Sequence, residues 1–196
     1  MIAIGITGGI GMGKSTAAAW LCKRGESVCD TDILARDLVM PGQPALKEIV
    51  DRFGPTALEP DGQLDRRWLA ERVFTDDSAR NQLEQILHPR IHEKWKSWVT
   101  QAGLQGATRA FVVIPLLFEK GYQSEFDQVV CLGCTAGTQR RRLRERGWND
   151  SQISQRNATQ LTTDFKMAHS NFVVWTEGLL AVHESQWTLV LARLGG

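Results

Sequence analysis

Residues 5–16 read GITGGIGMGKST, the most informative stretch of the chain. Gly8 to Ser15 fit the pattern G-x-x-x-x-G-K-[ST] of a phosphate-binding loop. Before the loop, the apolar residues 1–6 (MIAIGI) predict a short buried strand. After it, residues 16–24 favour a helix, because good helix formers are followed by basic residues. Strand, glycine-rich loop and helix therefore follow one another in the order that the motif requires.

The residue types in this loop suit the binding of a nucleoside triphosphate. Glycines let the backbone curl so that successive N–H groups point at phosphate oxygens, and the start of the helix adds unpaired N–H groups. Lys14 can reach the β- and γ-phosphates, and the Ser15 hydroxyl can bind Mg²⁺. The alternative is a glycine-rich turn that carries a lysine by chance, and the flanking strand and helix argue against it. We predict nucleotide contacts from Gly11, Met12, Gly13, Lys14, Ser15 and Thr16.

The composition excludes few classes of protein. The chain has 196 residues, enough for one domain with a full core and an insertion, and its 42% hydrophobic and 23% charged residues are ordinary for a globular protein. Its formal net charge of +1 gives no global field that would attract nucleic acid or a membrane surface. The apolar start lacks the basic segment of a signal peptide, and no uncharged apolar run is long enough to span a membrane. We expect a cytoplasmic protein with no nucleic-acid or membrane partner; the composition does not determine its oligomeric state.

The four cysteines fit a reducing compartment, because they are too few and too irregularly spaced for a disulfide framework. Cys131 and Cys134 form a C-x-x-C pair, which could be a redox motif or half of a zinc site. No second pair supplies the missing metal ligands, and the pair ends a strand-like run. We therefore interpret both as small buried residues.

Two acidic residues near a second strand are candidates for binding the phosphate acceptor. Residues 26–32 (ESVCDTD) predict a strand that ends in Asp30 and Asp32, with a helix starting at Ile33. Arg36 is four residues after Asp32, so the two share a helix face. In open α/β sheets, strand ends beside the first strand face the ligand. Helix capping is the alternative role for these acids.

A helical block separates the second and third strands. From residue 45 to 106 apolar residues recur at helical spacing, interrupted by one turn at residues 59–62 (EPDG). This block predicts a helical insertion in the nucleotide-binding core. His88-Pro89 is placed where a helix should stop or kink. Taken alone, His88 is more often a packed or solvated residue than a catalytic one.

Three more strands and a final helix follow from apolar runs. The strands are predicted at residues 110–115, 126–132 and 171–175, and the helix at residues 178–194. Glu119 follows the third strand closely, so it could hold a metal-bound water or position the acceptor. An ordinary surface position is the alternative for this glutamate.

The run TQRRRLRERG at residues 138–147 is unusually rich in arginine. Arg142 and Arg146 are four residues apart and lie on one helix face, where planar guanidinium groups suit phosphate. Residues 149–151 can cap a second helix at residues 152–161. Two short arginine-rich helices predict a lid over the phosphates. A solvated helix face is the alternative.

Together these motifs resemble the dephospho-CoA kinase family over nearly the whole chain. The resemblance is carried by the loop, by Asp30, Asp32 and Arg36 in a D-x-D-x-x-x-R pattern, by the His88-Pro89 pair, by PLLFE at residues 115–119 and by Q-x-x-R-x-x-x-R at residues 139–146. The chain departs from the family in two places. In the loop, Met12 replaces a usual small residue. Near the last strand, Ser170-Asn171 and Trp175-Thr176 replace acidic and amide residues, and this second departure concerns the adenine pocket.

The resemblance implies an α/β fold: a P-loop NTPase core with a five-stranded parallel sheet flanked by helices, a helical acceptor-binding insertion and an arginine-rich helical lid. The implied core comprises residues 1–40, 107–136 and 166–196. The implied acceptor domain comprises residues 41–106 and the lid residues 137–165.

The reaction that the resemblance implies is ATP + 3′-dephospho-CoA → ADP + CoA, with Mg²⁺, the last step of coenzyme A synthesis. Asp32 would accept the proton of the 3′-hydroxyl, while Lys14 and Arg142 would offset charge on the transferred group. Arg146 would contact the nucleotide, and Ser15 the Mg²⁺. The acceptor would be bound by Asp30, Asp32, Arg36, His88 and Glu119.

Two alternatives stay open at this point. One is another small-molecule P-loop kinase, acting on a nucleoside monophosphate or a sugar acid. The other is a nucleotide-dependent switch protein. A GTPase of that kind would need an N-K-x-D motif, and the sequence contains no Asn-Lys pair.

Overall fold

The computed structural model describes residues 1–195 and contains a five-stranded sheet in which all paired strands are parallel. The strands are Ile2–Thr7 (β1), Ser27–Asp30 (β2), Arg109–Val113 (β3), Gln128–Gly133 (β4) and Phe172–Trp175 (β5). They lie in the order β2-β3-β1-β4-β5, so β1 occupies the centre of the sheet. The apolar runs of the sequence predict all five strands, and the expected α/β class with a parallel sheet is confirmed.

Helices occupy most of the remaining chain. Within residues 1–195 they are Lys14–Lys23 (α1), Thr31–Asp37 (α2), Pro44–Phe53 (α3), Arg66–Thr75 (α4), Asp77–Leu104 (α5), Ala136–Glu145 (α6), Asp150–Ala158 (α7), Thr163–Ala168 (α8) and Leu180–Arg193 (α9). Short 3₁₀ turns occur at Pro55–Ala57 and Tyr122–Glu125. Among the described residues, no helix is both long and apolar enough to cross a membrane.

The chain divides into two compact units. The first contains Met1–Asp30 and the chain from Val99 onward, and it includes the sheet. The second, Thr31–Trp98, is helical. Its bounds differ at both ends from residues 41–106, the acceptor domain implied by the resemblance, because it includes α2 and ends at Trp98 within α5.

The sheet of the first unit is apolar on both faces. Ile4 and Ile6 are fully buried in a cluster that contains Trp187 of α9. Gly5 lies between them on the opposite face, where an added Cβ would crowd the ring of Phe126. Parallel sheets are covered on both faces, which explains the nearly continuous apolar runs. Burial of each isoleucine stabilises the fold by about 1.5–3 kcal/mol.

The helical unit has a core of its own. Its buried members are Leu38, Val39, Ala45, Ile49, Ala57, Leu69 and Ile86. The helical spacing of Ile49, Leu69 and Ile86 predicts this burial. Phe74 belongs to the same repeat, but it is 46% exposed. These buried residues form a hydrophobic cluster that is separate from the cluster of the sheet.

The structure corrects the predicted end of the second strand. β2 ends at Asp30 and α2 begins at Thr31, so Asp32 lies in the first turn of a helix. A carboxylate is favoured there because it faces the positive end of the helix dipole. Asp32 is therefore placed by the helix rather than by the strand.

The structure shows no stop at His88-Pro89, where the sequence predicts a stop or a kink. α5 runs through Pro89 without interruption. Proline has no N–H, so the carbonyl of Gln85 loses its helical partner. One residue further, the Arg90 guanidinium donates to the carbonyl of Ile86 at 2.5 Å. This side chain supports the helix next to the missing hydrogen bond.

The C-x-x-C pair is structural. Cys131 and Cys134 are free thiols and buried. Burial raises the pKa of Cys131 to about 11 and also raises the pKa of Cys134. Both thiols therefore stay protonated and unreactive near neutral pH. The interpretation as small buried residues is confirmed.

Glu177 joins the loops that follow β4 and β5. One carboxylate oxygen accepts hydrogen bonds from the hydroxyl of Thr135 and from its N–H at 3.2 Å, and the other accepts from Trp175 Nε1 at 3.2 Å. These bonds lower the pKa of Glu177 to about 2, and the bond from the Thr135 hydroxyl has the largest effect. Because Thr135 caps α6, the carboxylate fastens the start of that helix to the segment after β5.

We expect Glu177→Gln to lower the melting temperature at pH 7, because the amide keeps the shape but loses the charge. The folded pKa lies below the ordinary value of 4.5, so the contribution of the carboxylate is present above about pH 4.5 and is lost as the pH falls towards 2. Calorimetry should show that the difference in melting temperature between the native protein and Glu177→Gln becomes smaller as the pH falls from about 4.5 towards 2. Glu59→Gln, at an exposed position, is the control. Equal melting temperatures at pH 7 would contradict the assignment.

Candidate nucleotide-binding site

The loop between β1 and α1 requires glycine at two positions. Gly8 has a φ of 139°, and an added Cβ would collide with the carbonyl oxygen of Leu132 in β4. Gly13 precedes α1 with a φ of 86° in the left-handed region. Glycine adopts both conformations without strain. The loop can therefore lie directly against the sheet and lead into the helix.

Side chains bind five successive carbonyl groups of the loop. In order, Lys14 Nζ donates to Gly8 at 2.8 Å and to Gly9 at 3.0 Å, Gln139 Nε2 to Ile10 at 2.8 Å, Arg142 Nη1 to Gly11 at 3.4 Å and Thr176 Oγ1 to Met12 at 3.4 Å. Because its carbonyl groups are already hydrogen-bonded, the loop presents donors to a ligand. These donors are the Lys14 ammonium and the N–H groups at the start of α1, which have no acceptor within the helix. This arrangement is a cradle for an anion.

The remaining residues of the loop differ in how far their side chains are exposed to solvent. Ser15 and Thr16 are exposed in the first turn of α1, where their hydroxyls can reach a ligand. Met12 is buried, and its sulfur lies 3.6 Å from the hydroxyl oxygen of Thr163, which donates to it. Only the backbone of Met12 is therefore available to a nucleotide. The methionine fills the core behind the loop.

Gln139 ties the two arginine-rich helices to this loop. Its side chain is buried in α6 and exchanges two hydrogen bonds of 3.2 Å with Asn157 of α7. The same amide donates to the carbonyl of Ile10. α6, α7 and the loop are therefore held by one small amide network.

Arg142 is fixed between the loop and the segment after β5. Besides Gly11, its guanidinium donates to the hydroxyl of Thr176 at 3.0 Å and to the carbonyl of Thr176. A planar guanidinium directs its donors in a fixed fork, so these contacts set the orientation of the group. The positive charge is held next to the phosphate cradle.

A cavity of about 390 Å³ opens beside the loop. Its walls include Gly11, Gly13, Thr16, Arg142, Arg146, Thr176, Leu179, Leu180 and His183. The cavity is therefore lined both by residues of the phosphate cradle and by residues at and just before the start of α9. Concave sites of this size with a few polar groups are typical of small-molecule binding.

The arginine-rich run has several roles. Arg142 and Arg146 both line the cavity, which agrees with the shared helix face that their spacing predicts. Arg144 forms a bidentate pair with Asp150, whose pKa is lowered by the hydrogen bonds from that guanidinium. The predicted cap of the second helix is confirmed, because Asn149 forms a capping box with Gln152. The run is therefore more than a solvated face.

Glu119 is largely buried, so the surface position considered for it is wrong. One carboxylate oxygen pairs with Lys166 Nζ at 2.8 Å and accepts from the N–H of Leu161 at 2.8 Å. Lys166 is fully buried and also donates to the carbonyl of Pro115 at 2.9 Å. The other oxygen of Glu119 is buried without a hydrogen-bond partner among residues 1–195. This ion pair joins the PLLFE segment to α8.

The remaining predicted site residues lie at the end of β2 and in the helical unit. Asp30 is the last residue of that strand, in the first unit. Asp32, Arg36 and His88 lie in the helical unit, Asp32 and Arg36 exposed one turn apart on α2. His88 Nδ1 lies 3.8 Å from a carboxylate oxygen of Glu84 on α5. All three side chains of the helical unit are at least partly open to a ligand.

Sequence reasoning missed or undervalued four residues of this site. Thr176 was visible only as a departure from the family pattern, and Gln139 only as part of a motif. Lys166 and His183 gave no recognisable pattern, because a single basic residue in a helix usually faces water. Their importance depends on contacts with residues distant in the chain.

Comparison with known proteins identifies the family. A model of the dephospho-CoA kinase (CoaE) family matches residues 2–181. A dephospho-CoA kinase from Anaeromyxobacter dehalogenans is 43% identical over 197 residues, with 100% of this chain and 93% of the relative covered. A dephospho-CoA kinase from Corynebacterium glutamicum is 39% identical over 195 residues, covering 99% and 98%.

Solved structures agree on the fold. The crystal structure of TT1252 from Thermus thermophilus superposes with a TM-score of 0.83 at 33% identity, covering 100% of this chain and 98% of that one. A shikimate kinase from Acinetobacter baumannii in complex with shikimate shares the fold alone, with a TM-score of 0.57 at 13% identity and coverage of 99% and 93%. The motifs of the phosphate cradle, the parallel sheet and the full-length matches lead to one conclusion: this chain belongs to the dephospho-CoA kinase family, and it is a kinase of the P-loop fold.

Proposed function

We propose that this chain transfers the γ-phosphoryl group of ATP to the ribose 3′-hydroxyl of dephospho-CoA, giving ADP and coenzyme A. The observation that carries the proposal is the anion cradle beside an arginine-lined cavity, in a chain of the dephospho-CoA kinase family. Phosphoryl transfer depends mainly on positioning and on neutralisation of charge. The cradle and the cavity provide both.

The triphosphate would bind along the loop, with Gly11, Gly13 and the first turn of α1 donating to its oxygens. Lys14 would move from its carbonyl partners to the β- and γ-phosphates, because an ammonium gains more from phosphate charge than from peptide dipoles. The exposed Ser15 hydroxyl suits Mg²⁺, which prefers oxygen ligands and keeps several waters and phosphate oxygens of its own. Bound there, the ion would neutralise phosphate charge.

The acceptor would be bound by residues of the helical block. We propose residues 41–106 as the acceptor domain, with Arg36 and His88 as positive or donor groups for the acceptor. We also propose Asp30 and Glu119 as acceptor-binding residues.

Asp32 would take up the proton that leaves the 3′-hydroxyl as its oxygen attacks the γ-phosphorus and the bond to the β–γ bridging oxygen breaks. The support is its exposure, together with a place two residues after the end of β2. The carboxylate also orients the hydroxyl for in-line attack.

Residues 137–165 would act as a lid over the phosphates. Arg142 and Arg146 would contact the transferred group, and closure would exclude water that could otherwise hydrolyse ATP. The support is that both arginines line the cavity beside the loop. The amide network of Gln139 would keep these helices in register with the cradle.

Small-molecule partners and a cytoplasmic location complete the proposal. The four cysteines are free thiols, which fits a reducing compartment. We propose that neither nucleic acid nor a membrane takes part in the reaction.

The proposal predicts ADP formation that depends on dephospho-CoA. A coupled ADP assay with an acceptor panel of dephospho-CoA, AMP, CMP, shikimate and gluconate should show turnover with the first compound only. The acceptor alone should also raise the melting temperature at saturating concentration. Turnover with another acceptor, and none with dephospho-CoA, would contradict the proposal and favour a different small-molecule kinase.

We expect Asp32→Asn to reduce kcat by about two orders of magnitude or more, because the amide cannot accept the proton. Asp37→Asn, on the same helix, is a matched control that should retain kcat. Steady-state kinetics with dephospho-CoA measure both. Near-native kcat in Asp32→Asn would show that the carboxylate is not the base.

We expect Arg142→Ala to reduce kcat by about 10- to 100-fold while the KM for dephospho-CoA changes much less, because the charge acts on the transferred group. Arg142→Lys should recover only part of the loss, since an ammonium lacks the planar fork. Arg141→Ala, a highly exposed neighbour, is the control. An unchanged kcat in Arg142→Ala would show that this arginine has no role in a lid over the transferred group.

A further inference from the structure

His183 lines the cavity beside the phosphate cradle, and the reaction described above does not use it. It lies near the start of α9 and is 5% exposed. Trp187, one turn further, donates from Nε1 to His183 Nε2 at 3.1 Å. The indole is fully buried and packs edge-to-face against Phe111 of β3, with ring centroids 6.3 Å apart. The imidazole is therefore fixed by a group that is itself fixed by the sheet.

This contact determines which nitrogen of His183 carries the proton. An indole N–H can only donate, so Nε2 must be the unprotonated nitrogen that accepts. In the neutral ring the proton then belongs to Nδ1. Within residues 1–195, Nδ1 makes no hydrogen bond to the protein, and it is not among the buried polar atoms that lack a partner. Nδ1–H is therefore an oriented donor that remains available to a ligand in the cavity.

The surroundings keep this ring neutral. Burial lowers the pKa of His183, and the positive charge of Arg142 lowers it further, while Glu184 acts weakly in the opposite direction. Protonation would also place a proton on Nε2, directly against the N–H of Trp187. A neutral imidazole beside the cationic Arg142 and Arg146 adds a directional donor without adding a charge.

The position of His183 in the cavity indicates which part of a nucleotide it meets. The loop residues that line the cavity, Gly11, Gly13 and Thr16, suit the phosphates. His183 lines the same cavity together with Leu179 and Leu180, whose apolar side chains suit a flat ring or a sugar. A nucleoside offers acceptor atoms in both of its parts, the ring nitrogens of adenine and the ribose oxygens.

We propose that His183 is a nucleotide-positioning residue whose Nδ1–H donates a hydrogen bond to the nucleoside part of ATP, with Trp187 setting its tautomer. The proposal rests on the ATP-binding half of the function above. It places the contact on the nucleoside and none on the phosphates. It also gives a reason for pairing these two residues across one helical turn.

The test compares ligands with and without a nucleoside. In His183→Leu, the Kd for ADP measured by calorimetry should rise about threefold to tenfold, the effect of one lost hydrogen bond. The Kd for inorganic triphosphate should stay the same. His183→Asn should recover most of the ADP affinity, because its amide N–H takes the place of Nδ1. His169→Leu, at the exposed residue directly after α8, controls for the loss of a histidine and should leave both Kd values unchanged.

A second ligand pair separates the two parts of the nucleoside. If the Leu variant loses no affinity for 2′,3′-dideoxy-ADP relative to the native protein, the acceptor is a ribose hydroxyl. If the loss persists, the acceptor is on the base or is the ring oxygen of the ribose. Either result supports the proposal.

Three binding results would overturn it: native ADP affinity in His183→Leu, an equal loss for ADP and triphosphate, or no recovery in His183→Asn. Long-range ¹H–¹⁵N spectra of the native protein give a check that needs no variant to fold. They should show the Nδ1–H tautomer, with a shift of this nitrogen on ADP addition, and an Nε2–H tautomer would refute the assignment. Because no acceptor is used, these results are independent of whether dephospho-CoA is the substrate.

Discussion

The structure depends on holding a short glycine loop with its carbonyl groups occupied. Five successive carbonyls, from Gly8 to Met12, accept hydrogen bonds from side chains, and only Lys14 among the donors is close in sequence. A loop without such partners would sample many conformations, at about 1–2 kcal/mol of entropy for each residue that must be ordered. The fold supplies this order in advance, so a phosphate can meet a preformed cradle.

The donors that hold the loop come from elements at the carboxyl end of the sheet. Gln139 and Arg142 are presented by α6 after β4, and Thr176 follows β5. Glu177 then ties these two segments together through Thr135. The order β1-β4-β5 in the sheet makes this possible, because neighbouring parallel strands deliver their loops to the same edge. Stability of this edge and binding of the nucleotide therefore rest on the same contacts.

Buried polar pairs set the shape of the site as much as the apolar core does. Lys166 and Glu119 form an ion pair inside the first unit, and His183 and Trp187 form a neutral pair beside the cavity. Breaking a buried ion pair by removing one partner costs about 3–5 kcal/mol, because the other charge is left without compensation. Such pairs fix the position of their segments more strictly than apolar packing alone.

The amino-acid sequence alone determined the strands, the phosphate loop and the family, because these depend on local patterns: apolar runs, glycine spacing and a lysine next to a helix start. It also placed Arg142 and Arg146 on one face by their spacing of four. Only the tertiary structure showed that α5 passes through Pro89 and that Asp32 belongs to a helix. It alone gave Lys166, Thr176 and His183 their partners. Those roles arise from contacts between residues far apart in the chain, and such contacts leave no periodic pattern in the sequence.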